Sequence, residues 1–355
     1  MNNQAKAVAD LLIDKGLIQT SDIVDGNYQV MDVSRRNQNY LVECGATDGY
    51  FIKQVKSANP QATASFQCEA AVHWLAQNDP DFAPVRRLSP CCRGYDPQRN
   101  LLVMDLVKNS QTFTEVLQQG LPHHLAVQVG QQMALTHWHT GRQTLQANKP
   151  SPFARNVPWI LGIPALQIEH LSSLSEGCRQ LILLVQTTPQ LAAVLTDIKS
   201  AWRTTTFIHG DLKPDNCLII NDPGEQDSSV RFIDWELADF GDPAWDIAAL
   251  LQGIWIPCLL QHGAVDSSLS FISSTQAQIK TLLQTYLASS AIPLDDWQGM
   301  QIRAVQFTAA RMIQCAYEML HTSATIDAHA LLILQAACLI YANPHAIVVP
   351  MVLHT

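Results

Sequence analysis

Two short apolar runs, Phe207-Ile208 and Cys217-Leu218-Ile219-Ile220, bracket the segment HGDLKPDN at 209–216. The flanks read as short buried strands, and the Gly and Pro between them rule out one strand running straight through. A plain turn needs one or two polar residues. This one carries His209, Asp211, Lys213, Asp215 and Asn216, so the chain must hold a charged loop between two buried strands. A second apolar run ends in IDWE, with Asp234, and GDPAWDIA follows, with Asp246. Taken for its chemistry alone, a carboxylate here could accept a proton from a hydroxyl. An amide oxygen and a second carboxylate could hold Mg²⁺, which prefers hard oxygen ligands. Phosphoryl transfer needs those parts, because its catalysis is mostly positioning and charge neutralisation. An Asx-rich capping turn is the structural alternative for an isolated Asp-x-Asn, but the whole string with its IDWE partner favours chemistry.

Composition narrows the partners. With 355 residues and 47% hydrophobic content, the chain can bury one large core or two connected lobes. Only 15% of residues are charged and the net charge is −9, so electrostatics give no reason to expect nucleic acid. No basic amphipathic segment suits an anionic membrane. The opening MNNQAKAVADLLIDKG lacks the basic flank and continuous apolar stretch of a secretory signal. It reads as an amphipathic helix with Val8, Leu11 and Leu12 on one side. ALLILQAACLIYA, from Ala330, contains Gln335 and is too short to cross a bilayer comfortably, so a buried helix is expected. Nine cysteines without a CxxC pair, vicinal Cys91 and Cys92 included, make no zinc framework. Reduced thiols in a cytoplasmic protein are the expectation.

The texture changes along the chain. YQVMDV and NYLVEC, then a GATDG turn and YFIKQV, predict a hairpin with Asp48-Gly49 at its bend. FQCEAAVHWLAQ has helical spacing with Phe66, Ala70 and Leu75 near one face, and NLLVMDLV reads as a short apolar strand. After Lys108 the pattern is helical, in LAVQVGQQMALTHWH, RQLILLVQ, TQAQIKTLLQTYLASS and a long segment from Trp297 to His321. This predicts an α+β chain with a β-rich lobe at 1–107 and a larger helical lobe at 108–355.

HGDLKPDN with IDWE and GDPAWDIA resembles the aminoglycoside phosphotransferase and choline kinase-like family, a branch of the protein-kinase-like fold. The specific part of the resemblance lies at about 207–250. It implies a bilobal fold, with a small antiparallel sheet and one main helix in the N-lobe and a mostly helical C-lobe. It implies Asp211 as catalytic base, Asn216 and Asp234 as Mg²⁺ ligands, and Asp246 as a brace for the catalytic loop. Asp242 suits the N-cap of the following helix and Pro243 its first position. For ATP, the resemblance implies Lys53 on the phosphates, Glu69 as its helix partner, and Asp105 and Val107 in the hinge whose backbone meets the adenine. The phosphate loop, Ser34 to Asn39, has no glycine; the family often uses Ser and Asn there, which implies roles for Ser34 and Asn37. Arg35 and Arg36 could touch phosphate, but adjacent strand residues face opposite ways, so at most one is expected to.

His209 is expected to brace its loop, and His137-Trp138-His139 to serve helix-end packing, since no third metal ligand is signalled. Only twelve positions separate Asp234 from Asp246, which leaves no room for the activation segment on which protein kinases hold a peptide. That favours a small-molecule alcohol. Lys213, two positions after Asp211, resembles the loop lysine of serine/threonine protein kinases that approaches the γ-phosphate. It is a candidate for catalysis and keeps a peptide hydroxyl open as acceptor. Beyond residue 250 the acidic residues are Asp266, Asp295, Asp296, Glu318 and Asp327, few for a polycationic acceptor. Trp255, Tyr286, Trp297 and Tyr317 could cage a quaternary amine, although aromatics at helical spacing are more often core.

Overall fold

The structure is a computed structural model describing residues 3–34, 38–45, 48–55, 60–146, 151–167, 174–221, 229–265 and 269–348; at 3–5, 48 and 61 it describes the backbone alone. The chain divides into two compact units, Met1–Gln111 with Leu218–Leu237, and Thr112–Cys217 with Ala238–Thr355. The division differs from a single break at 107 because the segment ending in IDWE returns to the first unit. A boundary read from texture cannot see that return, since it depends on which sheet a strand joins.

The first unit is built on five antiparallel strands, β1 (Tyr28–Asp32), β2 (Gln38–Cys44), β3 (Asp48–Gln54), β4 (Cys92–Asp96) and β5 (Leu101–Asp105), in the order β1-β2-β3-β5-β4. Cys44 pairs with Asp48, so Asp48-Gly49 opens strand β3 instead of forming the bend. Gly49 is required there by close approach, because a Cβ would stand 2.8 Å from the Val42 carbonyl oxygen. Strand alternation sorts the side chains. Val42, Ile52 and Val103 face one way and pack with Val8 and Leu12 of the helix Asn3–Asp14. The apolar face expected of that helix is the one buried. Leu102 and Met104 face the other way, against Phe66 and Ala70 of the helix Pro60–Asn78. Lys53 pairs with Leu102 across β3 and β5 and therefore lies on this second face.

β6 (Ser110–Thr112), β8 (Cys217–Ile220) and β9 (Ser229–Phe232) form a small sheet in that order, while β7 (Thr206–Ile208) pairs antiparallel with β10 (Asp239–Gly241). The two runs flanking HGDLKPDN are thus strands β7 and β8. The rest of the second unit is helical, with helices at His123–His139, Glu176–Thr187, Gln276–Ala288, Leu294–Met319 and Ala328–Ala342 covering the helical segments read from the sequence. Helix Ala244–His262 is long and apolar enough to cross a membrane by length and composition, but most of it is buried in the core. At its centre Gly253 meets the loop, since a Cβ there would collide with the Pro214 ring. By these bounds Pro243 is the N-cap, one residue later than expected, although Asp242 Oδ1 still accepts the Ala244 N–H at 3.0 Å.

Candidate active site

In the first unit, one cation is held by three carboxylates. Lys53 Nζ lies 2.6 Å from Glu69, 2.6 Å from Asp234 and 3.1 Å from Glu236. Strand β3 supplies the lysine, the helix Pro60–Asn78 supplies Glu69, and the turn after β9 supplies the two others. The Lys53 side chain is only 6% exposed. Burial disfavours its charge, but Glu69, Asp234 and Glu236 outweigh that and the ammonium is held firmly protonated. Burial pushes Glu69 up to about 7 in spite of Lys53. The same burial, with Lys53 close by, pushes His73 down to about 4. Asp234 has φ 67°, a left-handed conformation that Asp tolerates better than most residues but that still stores strain.

The oxygens of Glu69, Asp234 and Glu236 lie within 4.8 Å of one another, close enough to share a cation. Three carboxylates against one ammonium leave an excess of negative charge and of hard oxygens, the donor set that Mg²⁺ prefers. Glu69 is sealed against Lys53, whereas the Asp234 and Glu236 side chains are 38% and 29% exposed. The residues present fit a divalent ion, and the two exposed carboxylates are the ones able to reach it. Glu236 closes the IDWE motif and was not singled out in the sequence; its signal is the i, i+2 spacing of two carboxylates after an apolar strand.

The phosphate-loop expectation can be followed only in part, because Arg35, Arg36 and Asn37 lie outside the described residues. Ser34 braces the loop: its Oγ accepts the Asn39 N–H at 3.0 Å, and its own N–H donates to Asp32 Oδ1 at 2.9 Å. In the hinge, the Asp105 carboxylate is a bidentate partner of Arg93 at 2.7 and 2.8 Å, and the Val107 carbonyl accepts the Ser110 hydroxyl at 2.8 Å.

The second unit shows the inverse arrangement. Asp211 is a carboxylate held by two cations, with Arg311 Nη2 at 2.6 Å from Oδ1 and Lys213 Nζ at 2.9 Å from Oδ2. Burial alone would raise the Asp211 carboxyl, but Arg311 and Lys213 overcome it and hold it below the ordinary carboxylate value. Asn216 Nδ2 donates to the Asp211 carbonyl at 2.8 Å and to its Oδ2 at 3.3 Å, which directs the amide oxygen away from Asp211. The helix Leu294–Met319 brings Arg311 to this loop from 100 residues downstream. The sequence reading missed Arg311. Its signal is a lone charge in the stretch TAARMIQ, where a charge without a partner would be costly to bury.

The loop backbone is fixed from below. The fully buried Asp246 accepts the His209 N–H at 2.7 Å and the Gly210 N–H at 2.9 Å. His137 Nε2 lies 3.0 Å from the same carboxylate, His137 Nδ1 lies 2.8 Å from the Tyr286 hydroxyl, and Trp138 Nε1 donates to that hydroxyl at 3.0 Å. One proton arrangement satisfies every group: Tyr286 donates to Nδ1, and Nε2–H donates to Asp246. His137 is therefore a buried brace of the loop's anchor, which corrects the expectation of simple helix-end packing. His209 is buried, and its ring faces the Asp211 N–H at 3.4 Å, as its bracing role required.

The aromatic-cage candidates are core residues: Trp255, Tyr286 and Trp297 are buried, and Tyr317 packs edge-on against Trp159. Of the acidic residues counted beyond 250, Asp327 caps a helix and Asp295 and Asp296 sit in a helix first turn, while Asp266 is outside the described residues. Glu318 alone joins the Asp211 cluster, accepting from Gln314 at 2.9 Å, with Gln314 in turn accepting from Arg311 at 3.2 Å.

A sheet unit carrying a lysine–glutamate pair and a helical unit carrying an Asp–Asn loop define a kinase-like protein. The family model described as the phosphotransferase enzyme family, APH, matches residues 30–268, and the chain belongs to that family. Among solved structures it is similar to an ethanolamine kinase from Plasmodium vivax (14% identity, TM-score 0.61, 92% of this chain and 85% of that one). It is likewise similar to the choline kinase LicA from Streptococcus pneumoniae (14%, TM-score 0.55, 96% and 99%). A third likeness is to the macrolide 2'-phosphotransferase MphH from Brachybacterium faecium (13%, TM-score 0.50, 95% and 98%). The fold is the protein-kinase-like one these share. No match was found among curated protein sequences.

Proposed function

We propose that the protein is an ATP- and Mg²⁺-dependent kinase that phosphorylates a hydroxyl of a small molecule. The observation that carries this reading is the carboxylate of Asp211, clamped between Arg311 and Lys213 on a loop anchored to buried Asp246. In this reading Asp211 takes the proton of the acceptor hydroxyl as its oxygen attacks phosphorus, and the γ-phosphoryl group leaves ADP. Lys213 neutralises charge on the transferred group, and Lys53, oriented by Glu69, holds nucleotide phosphates. Asp234 and Glu236 are the proposed carboxylate ligands of Mg²⁺, which would supply Lewis-acid neutralisation of phosphate charge, and the family resemblance gives Asn216 a ligand's role by its amide oxygen. Asp105 and Val107 offer hinge backbone to the adenine, with the Asp105 side chain committed to Arg93.

A small acceptor is favoured over a peptide because strand β10 ends at Gly241 and a buried helix begins at Ala244, leaving too short a segment between Asp234 and Asp246 for a peptide platform. A polycation is disfavoured because Glu318 is the one acid from beyond residue 250 in the Asp211 cluster among the described residues. The deciding experiment is ATP consumption with Mg²⁺ against amino alcohols, aminoglycosides, macrolides, sugars and Ser/Thr peptides. Turnover with a small alcohol supports the reading. Turnover only with the peptides, or none despite measured ATP binding, would sink it.

A further inference from the structure

We infer that Arg311 is a positioning residue for Asp211, selecting the carboxylate oxygen that receives the acceptor proton. The inference rests on Asp211 being the proton acceptor. Arg311 is 3% exposed and is gripped on three sides. Nη2 donates to Asp211 Oδ1 at 2.6 Å, Nη1 donates to Gln314 Oε1 at 3.2 Å, and the guanidinium carbon stands 5.3 Å from the Trp245 ring centroid. Trp245 is itself tied to the loop, its Nε1–H donating at 3.0 Å to the carbonyl of Gly210, the residue before Asp211. The planar fork therefore refers the carboxylate to two rigid helices, Ala244–His262 and Leu294–Met319.

The consequence is an asymmetry between the two oxygens. Oδ1 faces a buried cation that is fixed in place and cannot give way. Oδ2 faces Lys213, whose side chain is 32% exposed on a flexible stem, and the weaker 3.3 Å donor Asn216. Oδ2 is the oxygen that an incoming hydroxyl can reach, because its partners can move aside. Nε of Arg311 is buried with no hydrogen-bond partner among the described residues, so the hydrogen bonds that hold the side chain there are those of its two terminal nitrogens. A lysine at 311 would keep the charge and lose the fork.

The test needs a kinetic and a non-kinetic readout. In kinetics, Arg311→Gln should lower kcat about 10²-fold and leave the KM for ATP within twofold, and Arg311→Lys should recover about a tenth to a half of the loss. In the Asp211→Asn background Arg311→Gln should cost less than threefold, because a residue that acts through another has nothing left to orient. Additive losses, or a loss expressed in the ATP KM, would overturn the inference. Without any substrate, urea unfolding of the four proteins of the same cycle should show a coupling of tenfold or more in the unfolding constant. Coupling near unity overturns the positioning role whatever the activity. Strong coupling with no turnover on any acceptor would instead remove the phosphotransfer reading, and with it the proton step assigned to Oδ2. Should Arg311→Gln fail to fold, Arg311→Lys carries both measurements, and parental kcat in it would overturn the need for the fork.

Discussion

The two units solve opposite electrostatic problems with the same few side-chain types. In the first, Lys53 is one cation among three carboxylates; in the second, Asp211 is one carboxylate between two cations. The first cluster is not neutral by itself. It has an excess of negative charge and therefore an affinity for cations; in the second the two cations outnumber the one carboxylate they touch, and Glu318, linked through Gln314 farther along the helix, offsets the difference. A stabilising ion pair would be matched one to one, and unmatched burial is costly unless something else is bound or turned over. The proposed function gives metal-assisted phosphate binding to the first cluster and base catalysis to the second, and the contrast in how each central charge is held is what favours that division.

The sharpest way to break the comparison is Asp211→Asn. Turnover should fall about 10²–10⁴-fold, the usual range for a positioned base, with ATP affinity retained. If turnover on any accepted substrate equals the parent's, the clamp is structural only. On the first unit, Lys53→Ala should lower turnover by about 10²-fold or raise the ATP KM to match, as loss of one preorganised charge does. It also strands buried Glu69. Breaking a buried pair costs about 3–5 kcal/mol, and protonation of Glu69, already pushed up to about 7, trims that loss at neutral pH. Steady-state kinetics across ATP concentrations and a denaturation curve read both effects, and parental values in each would mean the wrong lysine. Asp234→Ala should weaken Mg²⁺-dependent ATP binding about 10–100-fold in calorimetry, at least what loss of an outer partner of a metal usually costs. Binding without added Mg²⁺ should scarcely change.

How much of this was legible follows from where each residue's partners lie. Asp211, Asn216 and Asp234 sit in compact motifs whose residue types suit the proposed chemistry, so the sequence pointed at them directly, while the bracing role of Asp246 came from the resemblance. Lys53 and Glu69 needed the resemblance, since a strand lysine and a helix glutamate are common; their 2.6 Å contact is a tertiary fact. Arg311 and His137 were missed because their partners stand 100 and 109 residues away, and no local pattern encodes such a pairing. The hairpin was placed correctly but its bend was not: Asp-Gly is a strong turn signal, yet Gly49 answers to the close Val42 carbonyl. The aromatics at helical spacing are core, the commoner outcome for that pattern, as Trp255, Tyr286 and Trp297 lie on faces that pack inward.

A smaller effect tests the anchor shared by the loop. Burial alone would raise the Asp246 carboxyl, but the hydrogen bond from His137 and that from the His209 N–H hold it below its ordinary value. A carboxylate with a depressed folded value adds stability above its ordinary value of about 4, and that stability is lost as pH falls through the folded value. Unfolding measured from pH 6 to pH 3 should therefore show stability dropping below about pH 4, with a shallower drop in Asp246→Asn. Identical slopes would mean that other carboxylates govern the acid limb.

The smallest expected effect is at Lys213, where the two clusters' logics meet. Its ammonium is 2.9 Å from Asp211 but its side chain is about one-third exposed, so the pair adds little to folding, about 0–1 kcal/mol. Burial lowers its proton affinity, Asp211 more than restores it, and the group stays charged. A mobile charge beside a base can do what Arg311 cannot: move onto the phosphoryl oxygens as negative charge develops there. Lys213→Ala should then lower kcat about tenfold with acceptor and ATP KM values nearly constant, because the contact strengthens in the transition state. The melting temperature should hold within a degree or two. An unchanged kcat would leave Lys213 as a solvated loop residue, and the second cluster would reduce to one carboxylate and one buried arginine. A rise in the acceptor KM alone would place the lysine on the acceptor instead of the phosphoryl group, and the contrast between a caged cation and a clamped carboxylate would have to be drawn without it.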